Sequence, residues 1–479
     1  MVARYGSRRW RAKTRIGALG TLVLAAALAI HPPEGRAARG QLRVFQDDRL
    51  LLQDGPRTRD ATLDRLAWLG VDVVRVQVTW AALAPRSPRI VPRRLASLDG
   101  LVAAARRRGM RPLLTLSSPA PAWAAGRLGP FRSRRPSSRA YRAFVTQLGR
   151  HFDGRAAPRV DLWALWNEPN HPEFLSPQRS RRGGLLAPAM LRALLRAGGA
   201  GLRATGHGGD TILIGEWLPV GSGQPCGLCT QPPLAFAREL LCLDARDRPL
   251  RRRAARRHPG CGGHFRRLPG TAWSVHPYAH DGDPLRPPPG RDDLGPTTLG
   301  RLHALLVRAA RAGRVRRHMP LWETEFGVQT NPPDRRVGVP LVAQARYLNQ
   351  AEWVAWRLGF VRAVAQYALR DDLPLSGFQS GLLFANGTPK PALAAYRLAL
   401  IVTRGRARAA AVRVWMRLPP HARAVTILPP AGRAVRVRAP RKGHYLTLRL
   451  RRRFRPRGLW RAHLDDGSAS RPASELLGG

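Results

Sequence analysis

Apolar residues follow two alternating patterns along this chain, and together these patterns predict its fold. Short runs rich in β-branched and aromatic residues are typical of buried strands, and longer amphipathic stretches between them are typical of helices. Eight strands are predicted in this way, at 42–46, 71–78, 111–117, 160–166, 211–216, 271–276, 319–325 and 360–367. Because helices separate them, the strands should lie parallel, and eight such units close a (β/α)8 TIM barrel.

The helices between these strands are bounded by ordinary stop signals. Gly70 ends the helix predicted at 61–69, and Gly109 ends the one at 93–108, as a glycine past the last turn often does. The other helices are predicted at 138–152, 187–204, 233–243, 297–312, 341–358 and 392–402.

The pattern changes beyond Arg404, where short alternating runs separated by Pro and Gly turns predict strands alone. Four are predicted, at 410–417, 424–428, 434–438 and 444–451. Their spacing is typical of a small all-β, sandwich-like module, which supports the barrel or binds carbohydrate. The chain therefore divides into a signal peptide and linker (1–39), a barrel (40–403) and a C-terminal β-module (404–479).

Two of the predicted barrel strands end in a glutamate. Trp166-Asn167-Glu168-Pro169 follows the fourth strand, and Thr324-Glu325-Phe326-Gly327 closes the seventh. Pro169 disfavours helical backbone at Glu168 and predicts an extended conformation there. Catalytic groups of α/β barrels lie at this end of the strands, and two carboxylates are what a glycosidase requires.

These motifs resemble the retaining glycoside hydrolases of clan A, over roughly residues 42 to 402. That clan carries an Asn-Glu pair after barrel strand four and a second glutamate after strand seven, which matches the two motifs above. The resemblance implies that Glu168 is the general acid and base and that Glu325 is the nucleophile. It implies no metal and no organic cofactor, because two carboxylates suffice. Two structural salt-bridged glutamates are the alternative.

Glu323 is the reserve nucleophile, because it precedes Glu325 by two residues. In a regular strand both side chains point to the same face. A second inward carboxylate needs a partner, and Arg75 on strand two is a candidate. Arg75 also resembles the clan's arginine that orients the nucleophile and keeps it ionised. Its flanking valines predict a buried strand position and argue against an ordinary surface arginine.

The resemblance also implies substrate-binding roles for residues near the strand ends. Asn167 would hold a sugar 2-hydroxyl, although capping the turn is an alternative role for it. His276 and Tyr278, after strand six, resemble the clan's histidine and tyrosine near the nucleophile, with the tyrosine hydroxyl donating to Glu325. Glu216, after strand five, would contact a substrate hydroxyl or serve as a salt-bridge partner.

Aromatic residues near the strand ends are candidates for stacking on the apolar face of a sugar. Trp123 is the first choice and Trp80 the second; Trp166 and Trp217 are also placed suitably. Where the clan often has a tryptophan after strand eight, this chain has Gln366-Tyr367, so Tyr367 is the candidate substitute.

The N-terminus predicts export. A basic segment precedes an apolar run, 16–30, that is too short to span a bilayer comfortably, and small residues allow cleavage after Ala37. The expected location is therefore extracellular or at the cell surface. An uncleaved anchor is the alternative, and the membrane is contacted only through this segment.

The formal net charge is +52, almost all from arginine, and the basic residues are spread along the whole chain. Without a basic stripe interleaved with aromatic residues, we expect no nucleic-acid partner. A compositional bias with a solvated surface explains most of the excess, and attraction to an acidic polysaccharide or cell-surface polyanion is the alternative.

All four cysteines fall in one stretch. In an exported chain they predict two disulfides that staple one loop, with Cys226–Cys229 and Cys242–Cys261 favoured by proximity. A zinc site is the alternative, but a second C-x-x-C is missing.

The sequence therefore predicts an exported, monomeric retaining glycosidase acting on an oligo- or polysaccharide. A carbohydrate-binding barrel without catalytic activity and a cationic polyanion-binding surface protein are the competing hypotheses.

Overall fold

The computed structural model describes residues 40–126, 134–180, 183–222, 229–404, 411–440, 444–451 and 458–477. The predicted signal peptide and Cys226 lie outside the described residues. None of the helices in these ranges has both the length and the hydrophobicity that a bilayer-spanning helix requires.

Eight parallel strands close a barrel, as the alternation of patterns predicts. Neighbouring strands pair in sequence order, and the first strand pairs with the eighth. In chain order the barrel strands are β1 (Leu42–Gln46), β2 (Val73–Thr79), β3 (Arg111–Ser117), β4 (Leu162–Leu165), β5 (Thr211–Trp217), β6 (Ala272–Val275), β7 (Leu321–Glu323) and β8 (Val361–Tyr367). The predicted fold class is confirmed.

Ten α-helices connect and cover the described strands. They are α1 (Gly55–Leu69), α2 (Trp80–Leu83), α3 (Ala96–Arg107), α4 (Ser138–His151), α5 (Ala187–Arg203), α6 (Pro233–Leu240), α7 (Arg252–Arg256), α8 (Leu299–Arg311), α9 (Leu341–Arg357) and α10 (Pro391–Arg397). Helix α1 ends where the sequence predicts, at Gly70, whose φ of 78° is the left-handed conformation that glycine adopts without strain.

Two apolar layers hold the barrel together. Inward-pointing side chains such as Val44, Leu113 and Leu162 fill its lumen. Outward-pointing ones such as Val74 and Leu114 pack with the helices in a larger core. Side chains thus alternate between the lumen and the helices at successive residues of a strand, the period of two used to predict the strands. This alternation determines which side chains can reach the site.

Among the described residues, seven strands form the C-terminal module, as two sheets that share a core. They are β9 (Ala399–Arg404), β10 (Ala411–Arg417), β11 (Ala424–Leu428), β12 (Val435–Arg438), β13 (Tyr445–Arg451), β14 (Arg461–Leu464) and β15 (Glu475–Leu477). The sheet orders are β13-β10-β9-β15 and β12-β11-β14. Val402 and Val414 of one sheet meet Val425 and Ile427 of the other, as in a sandwich.

The last predicted helix, 392–402, is wrong in its second half. The helix ends at Arg397, and Ala399–Arg404 is a strand of the C-terminal module. Its apolar residues Leu400 and Val402 pack into the module core, so pairing with β10 and β15 overrides the helical pattern.

The module is joined to the barrel by a buried ionic network. Arg417 of the module contacts Glu352 of α9 at 3.0 Å and Asp72 before β2 at 3.2 Å. Arg43 of β1 contacts the same glutamate at 2.8 Å, and the Tyr445 hydroxyl donates to it. These contacts favour the supporting role among the two considered for the module.

Candidate active site

Glu168 is presented by an irregular turn after β4. Trp166 and Glu168 both have positive φ, at 72° and 40°, which is rare and strained for residues with side chains. The Glu168 amide donates to the Glu216 carbonyl at 2.8 Å, and this contact helps to keep the turn in place. The extended conformation predicted from Pro169 is therefore wrong, because pairing with the neighbouring strand end decides the backbone.

Glu325 and Glu323 do not share a face, so the prediction that they do is wrong. Strand β7 ends at Glu323, so side chains beyond this residue no longer alternate between the two faces of the barrel wall. Trp322 points into the barrel lumen, whereas Glu323 is buried among residues of α9 and β8. The chain then turns Glu325 into the site. Glu323 consequently lies outside the barrel lumen.

Arg75 lies at the centre of the site. Its Nη1 donates to Glu325 Oε1 at 2.6 Å and also contacts Gln46, while its Nη2 donates to Asn167 Oδ1 at 2.8 Å and contacts the Glu216 carboxylate. The guanidinium is completely buried. The predicted pairing of Arg75 with Glu323 is wrong, but the buried strand position predicted for it is correct.

Glu216 reaches the lumen because β5 is irregular. The pairing register of β5 and β6 shifts between Gly215 and Trp217, and Gly215 has a φ of 121°. A side chain at Gly215 would collide with the Ser274 carbonyl. This bulge turns Glu216 inward onto Arg75. Burial is the largest single influence and acts to raise the pKa of Glu216, but the charges and hydrogen bonds of Arg75 and His276 together outweigh it and lower the pKa to about 2. Glu216 was expected to be either a substrate contact or a salt-bridge partner, and its ion pair with Arg75 fits the second role.

His276 connects the two candidate catalytic carboxylates. Its Nδ1 lies 2.8 Å from Glu168 Oε1 and 3.5 Å from Glu325 Oε2. Burial favours the neutral ring, but the charge of Glu325 and the hydrogen bonds with Glu168 and Glu216 together outweigh it and raise the pKa of His276 to about 9. The ring is therefore cationic at neutral pH and donates to Glu168.

Glu168 lies in surroundings that favour its acid form. Burial is the largest influence and raises the pKa of Glu168, the negative charge of Glu325 adds to this, and the hydrogen bond from His276 opposes it. Tyr278 stands beside the other carboxylate, and its hydroxyl donates to Glu325 Oε2 at 3.2 Å. Glu325 thus accepts hydrogen bonds from Arg75 and Tyr278 on different oxygens.

The predicted aromatic residues divide into buried and accessible ones. Trp80 is fully buried, stacked on Phe144 with ring centroids 5.6 Å apart, so the prediction that it stacks on a sugar is wrong. Trp166 and Trp217 are equally buried. Trp123 is half-buried, because its Nε1 donates to the Ala84 carbonyl while its ring meets Trp80 edge-on.

Two further side chains line the β1–β8 side of the site. Tyr367 is half-buried and meets the exposed Phe378 edge-on at 5.3 Å. Asp48, directly after β1, accepts from the Gln77 amide at 2.6 Å and lies close enough to Arg75 and Glu325 for their charges to act on its pKa. Asp48 was not among the predicted site residues, although its position after a barrel strand is a usable signal.

Glu168, His276 and Glu325 are also the described residues whose spacing could suit a metal ion. A histidine must lose its proton to bind a metal, and the raised pKa of His276 opposes this. Arg75 already supplies a cation at Glu325. The arrangement fits paired carboxylates better than a metal centre.

The four cysteines are only partly described. Cys242 and Cys261 form the predicted disulfide, with an S–S distance of 2.06 Å. The second predicted pair includes Cys226, which lies outside the described residues.

Comparisons by sequence return no relative: no family profile matches the chain, and no curated protein matches it. Comparison of structures does find similar proteins. A family 39 glycoside hydrolase from the gut symbiont Bacteroides cellulosilyticus is 15% identical, with a TM-score of 0.54 over 87% of this chain and 80% of the other. The GH5_18 protein from Streptomyces cattleya, solved in complex with GlcNAc, is 20% identical, with a TM-score of 0.50 over 75% of this chain and 79% of the other. The predicted resemblance to clan A glycoside hydrolases is thus confirmed at the level of the fold.

Proposed function

We propose that this protein is a glycosidase that cleaves O-glycosidic bonds by double displacement, with Glu325 as nucleophile and Glu168 as acid and base. The observation that carries the proposal is their spacing. One carboxylate oxygen of each glutamate and one ring nitrogen of His276 all lie within 4.8 Å of one another. Retaining enzymes hold their carboxyl groups about 5–5.5 Å apart, and inverting enzymes need about 6.5–9.5 Å.

In the first step, Glu168 donates its proton to the glycosidic oxygen while Glu325 attacks the anomeric carbon. The bond to the leaving group breaks, and an ester to Glu325 forms. The raised pKa of Glu168 keeps the required proton in place before the reaction. Arg75 and Tyr278 hold the Glu325 carboxylate in position through both of its oxygens.

In the second step, Glu168 removes a proton from water, which attacks the anomeric carbon and releases Glu325. The charge of Glu325 is absent in the ester, and that charge is one of the causes that raise the pKa of Glu168. Its removal lowers the pKa of Glu168 and favours the base form when it is needed. The configuration at the anomeric carbon is retained after two inversions.

Asn167 fits the role of substrate ligand. Its Oδ1 accepts from Arg75, so its amide nitrogen is the group that would donate to a 2-hydroxyl. Trp123 and Tyr367 are the half-buried aromatic residues that would support the sugar. We further propose an oligo- or polysaccharide substrate, a monomeric enzyme, and export through the N-terminal segment. N-terminal sequencing of protein from its host tests export, because the mature chain should begin near Ala38.

Paired substitutions test the assignment of the two glutamates. Glu325→Ala should abolish turnover, and azide should restore it with a product of opposite configuration, because the anion attacks from the vacated side. Glu168→Ala should still react with aryl glycosides that carry a good leaving group, since these need no protonation. Its covalent intermediate should accumulate, and azide should release a product of retained configuration.

Glu323→Gln is the matched control, since this glutamate is two residues from Glu325 but buried outside the lumen. It should keep near-normal turnover on every substrate. Inverted product from the wild type would contradict the double displacement. Binding of sugars without any turnover across a broad panel of glycosides would favour the non-catalytic barrel instead.

A further inference from the structure

A groove lined by arginines runs along the outside of the barrel, away from the candidate active site. It encloses about 750 Å³ between helices α4 and α5 and the segment that leads into β6. That segment, 266–271, precedes the N-terminal end of β6, whereas the catalytic carboxylates follow the C-terminal ends of the strands. A ligand in this groove would therefore leave the catalytic end of the barrel open.

Seven arginines and no carboxylate are among the described residues that line the groove. Six of the seven are exposed, and the seventh is half-buried. They are Arg139, Arg142, Arg196, Arg203, Arg266, Arg267 and Arg316.

These arginines differ from many others in this protein in their contacts with acidic residues. In the described part of the chain, none of the seven forms an ion pair, whereas Arg159, Arg238 and Arg308 are each paired with an aspartate. The charge of Arg266 acts on Arg196, whose pKa is lowered first by burial and then by this repulsion. A cluster of like charges is unfavourable by itself, and an anion in the groove would relieve the repulsion.

The chemistry of the lining selects among anionic ligands. Guanidinium groups match carboxylates, sulfates and phosphates through paired hydrogen bonds. Single-stranded nucleic acid binds to basic grooves that also offer aromatic rings for base stacking, and no aromatic residue is among the described residues that line this groove. A concave groove also suits a chain better than the flat surface of a membrane.

We propose that this groove binds an acidic polysaccharide, a chain that carries carboxylate or sulfate groups at regular intervals. It would hold the protein on such a matrix while the catalytic end of the barrel remains accessible. This proposal does not depend on the proposed glycosidase activity.

The test compares two triple variants that remove the same net charge. The groove variant combines Arg142→Gln, Arg203→Gln and Arg267→Gln. The control replaces the exposed Arg57, Arg106 and Arg107 of α1 and α3, which form no ion pair among the described residues. Binding to dextran sulfate and to alginate is measured by titration at low and at high salt, with uncharged dextran as the blank.

The groove variant should lose about tenfold or more in affinity for one or both acidic polymers, because each exposed ion pair contributes up to about fivefold. The dependence of its affinity on salt should also become weaker. The control should bind nearly as the wild type does. An equal loss in both variants would overturn the proposal and assign the binding to total charge.

Two further probes distinguish other polyanions. The probes are oligodeoxythymidylate and vesicles rich in phosphatidylserine. If the protein binds either probe more tightly than both polysaccharides, and only the groove variant weakens that binding, the choice of ligand is overturned. Circular dichroism and the turnover of any neutral glycoside that the wild type cleaves should be the same in both variants, so that a folding defect is recognised.

Discussion

Glu323 provides a test of the structure that does not depend on the proposed activity. Glu323 is 2% exposed, and one of its carboxylate oxygens has no hydrogen-bond partner among the described residues. Burial, and then the charge of Glu352, raise the pKa of Glu323 from 4.5 to about 8. Glu323→Gln replaces the buried acid with a neutral group of the same shape, so it should stabilise the protein at alkaline pH and change little at acid pH.

The magnitude follows from proton linkage. In the unfolded chain Glu323 loses its proton near pH 4.5, but in the folded protein it keeps the proton up to about pH 8. Between these values the folded state binds a proton that the unfolded state does not, so stability falls as the pH rises. One pKa unit corresponds to about 1.4 kcal/mol, so at most about 5 kcal/mol of unfolding free energy is present below pH 4.5 and lost by about pH 8.

Urea denaturation of wild type and variant at about pH 5 and about pH 9 measures this difference. The gain from Glu323→Gln should reach several kcal/mol at the higher pH and be small at the lower. Glu352→Gln is the control with the opposite sign. Burial opposes ionisation of Glu352, but Arg43 and Arg417 together outweigh it and lower its pKa, so its stabilisation is present at both assay pH values and is lost only as the pH falls below them. Glu352→Gln should therefore be less stable than the wild type at both pH values. If Glu323→Gln changes the unfolding free energy by the same amount at both pH values, the raised pKa of the buried Glu323 is refuted.

Three further outcomes are expected. His276→Asn removes a positive charge that lowers the pKa of Glu168, so the alkaline limb of the kcat/KM pH profile should move to higher pH. An unchanged alkaline limb would contradict the contact between His276 and Glu168. Opening the Cys242–Cys261 disulfide by double substitution with serine should lower the unfolding free energy by about 3 kcal/mol in urea denaturation, as expected for a loop of this size. Arg417→Gln should lower the unfolding free energy by about 3–5 kcal/mol, because it leaves buried carboxylates without their positive partner. Arg436→Gln breaks an exposed ion pair with an aspartate and should lower the unfolding free energy by less than about 1 kcal/mol in the same assay.

The strands and most helices could be predicted because their patterns are local. The limits predicted for β1 and β3 are those observed, and α4, α5 and α9 differ from their predictions by one residue at the C-terminal end. The strand Ala399–Arg404 was missed because its apolar residues suit either a helix or a buried strand. Only pairing with its neighbours in the C-terminal module decides between them.

Side-chain directions at the site could be predicted only where a strand is regular. Arg75 lies inside β2, and the period of two correctly places it in the barrel. Glu325 lies beyond the end of β7, and Glu216 lies in a bulge of β5, so the period of two fails for both. Trp80 illustrates the same limit, because a position after a strand predicts neither the helix that begins there nor the aromatic cluster that buries its ring.

The sequence by itself determined the eightfold alternation, the two strand ends that carry Glu168 and Glu325, and the excess of arginine. These features depend on local periodicity and composition, which a single chain displays directly. Only the tertiary structure decided that Arg75 contacts Glu325 and not Glu323, and that His276 lies between the two glutamates. It also decided that one groove is lined by seven arginines that form no ion pair with any described residue. Each of these depends on distances between residues far apart in the chain, which are set by barrel closure, bulges and helix packing.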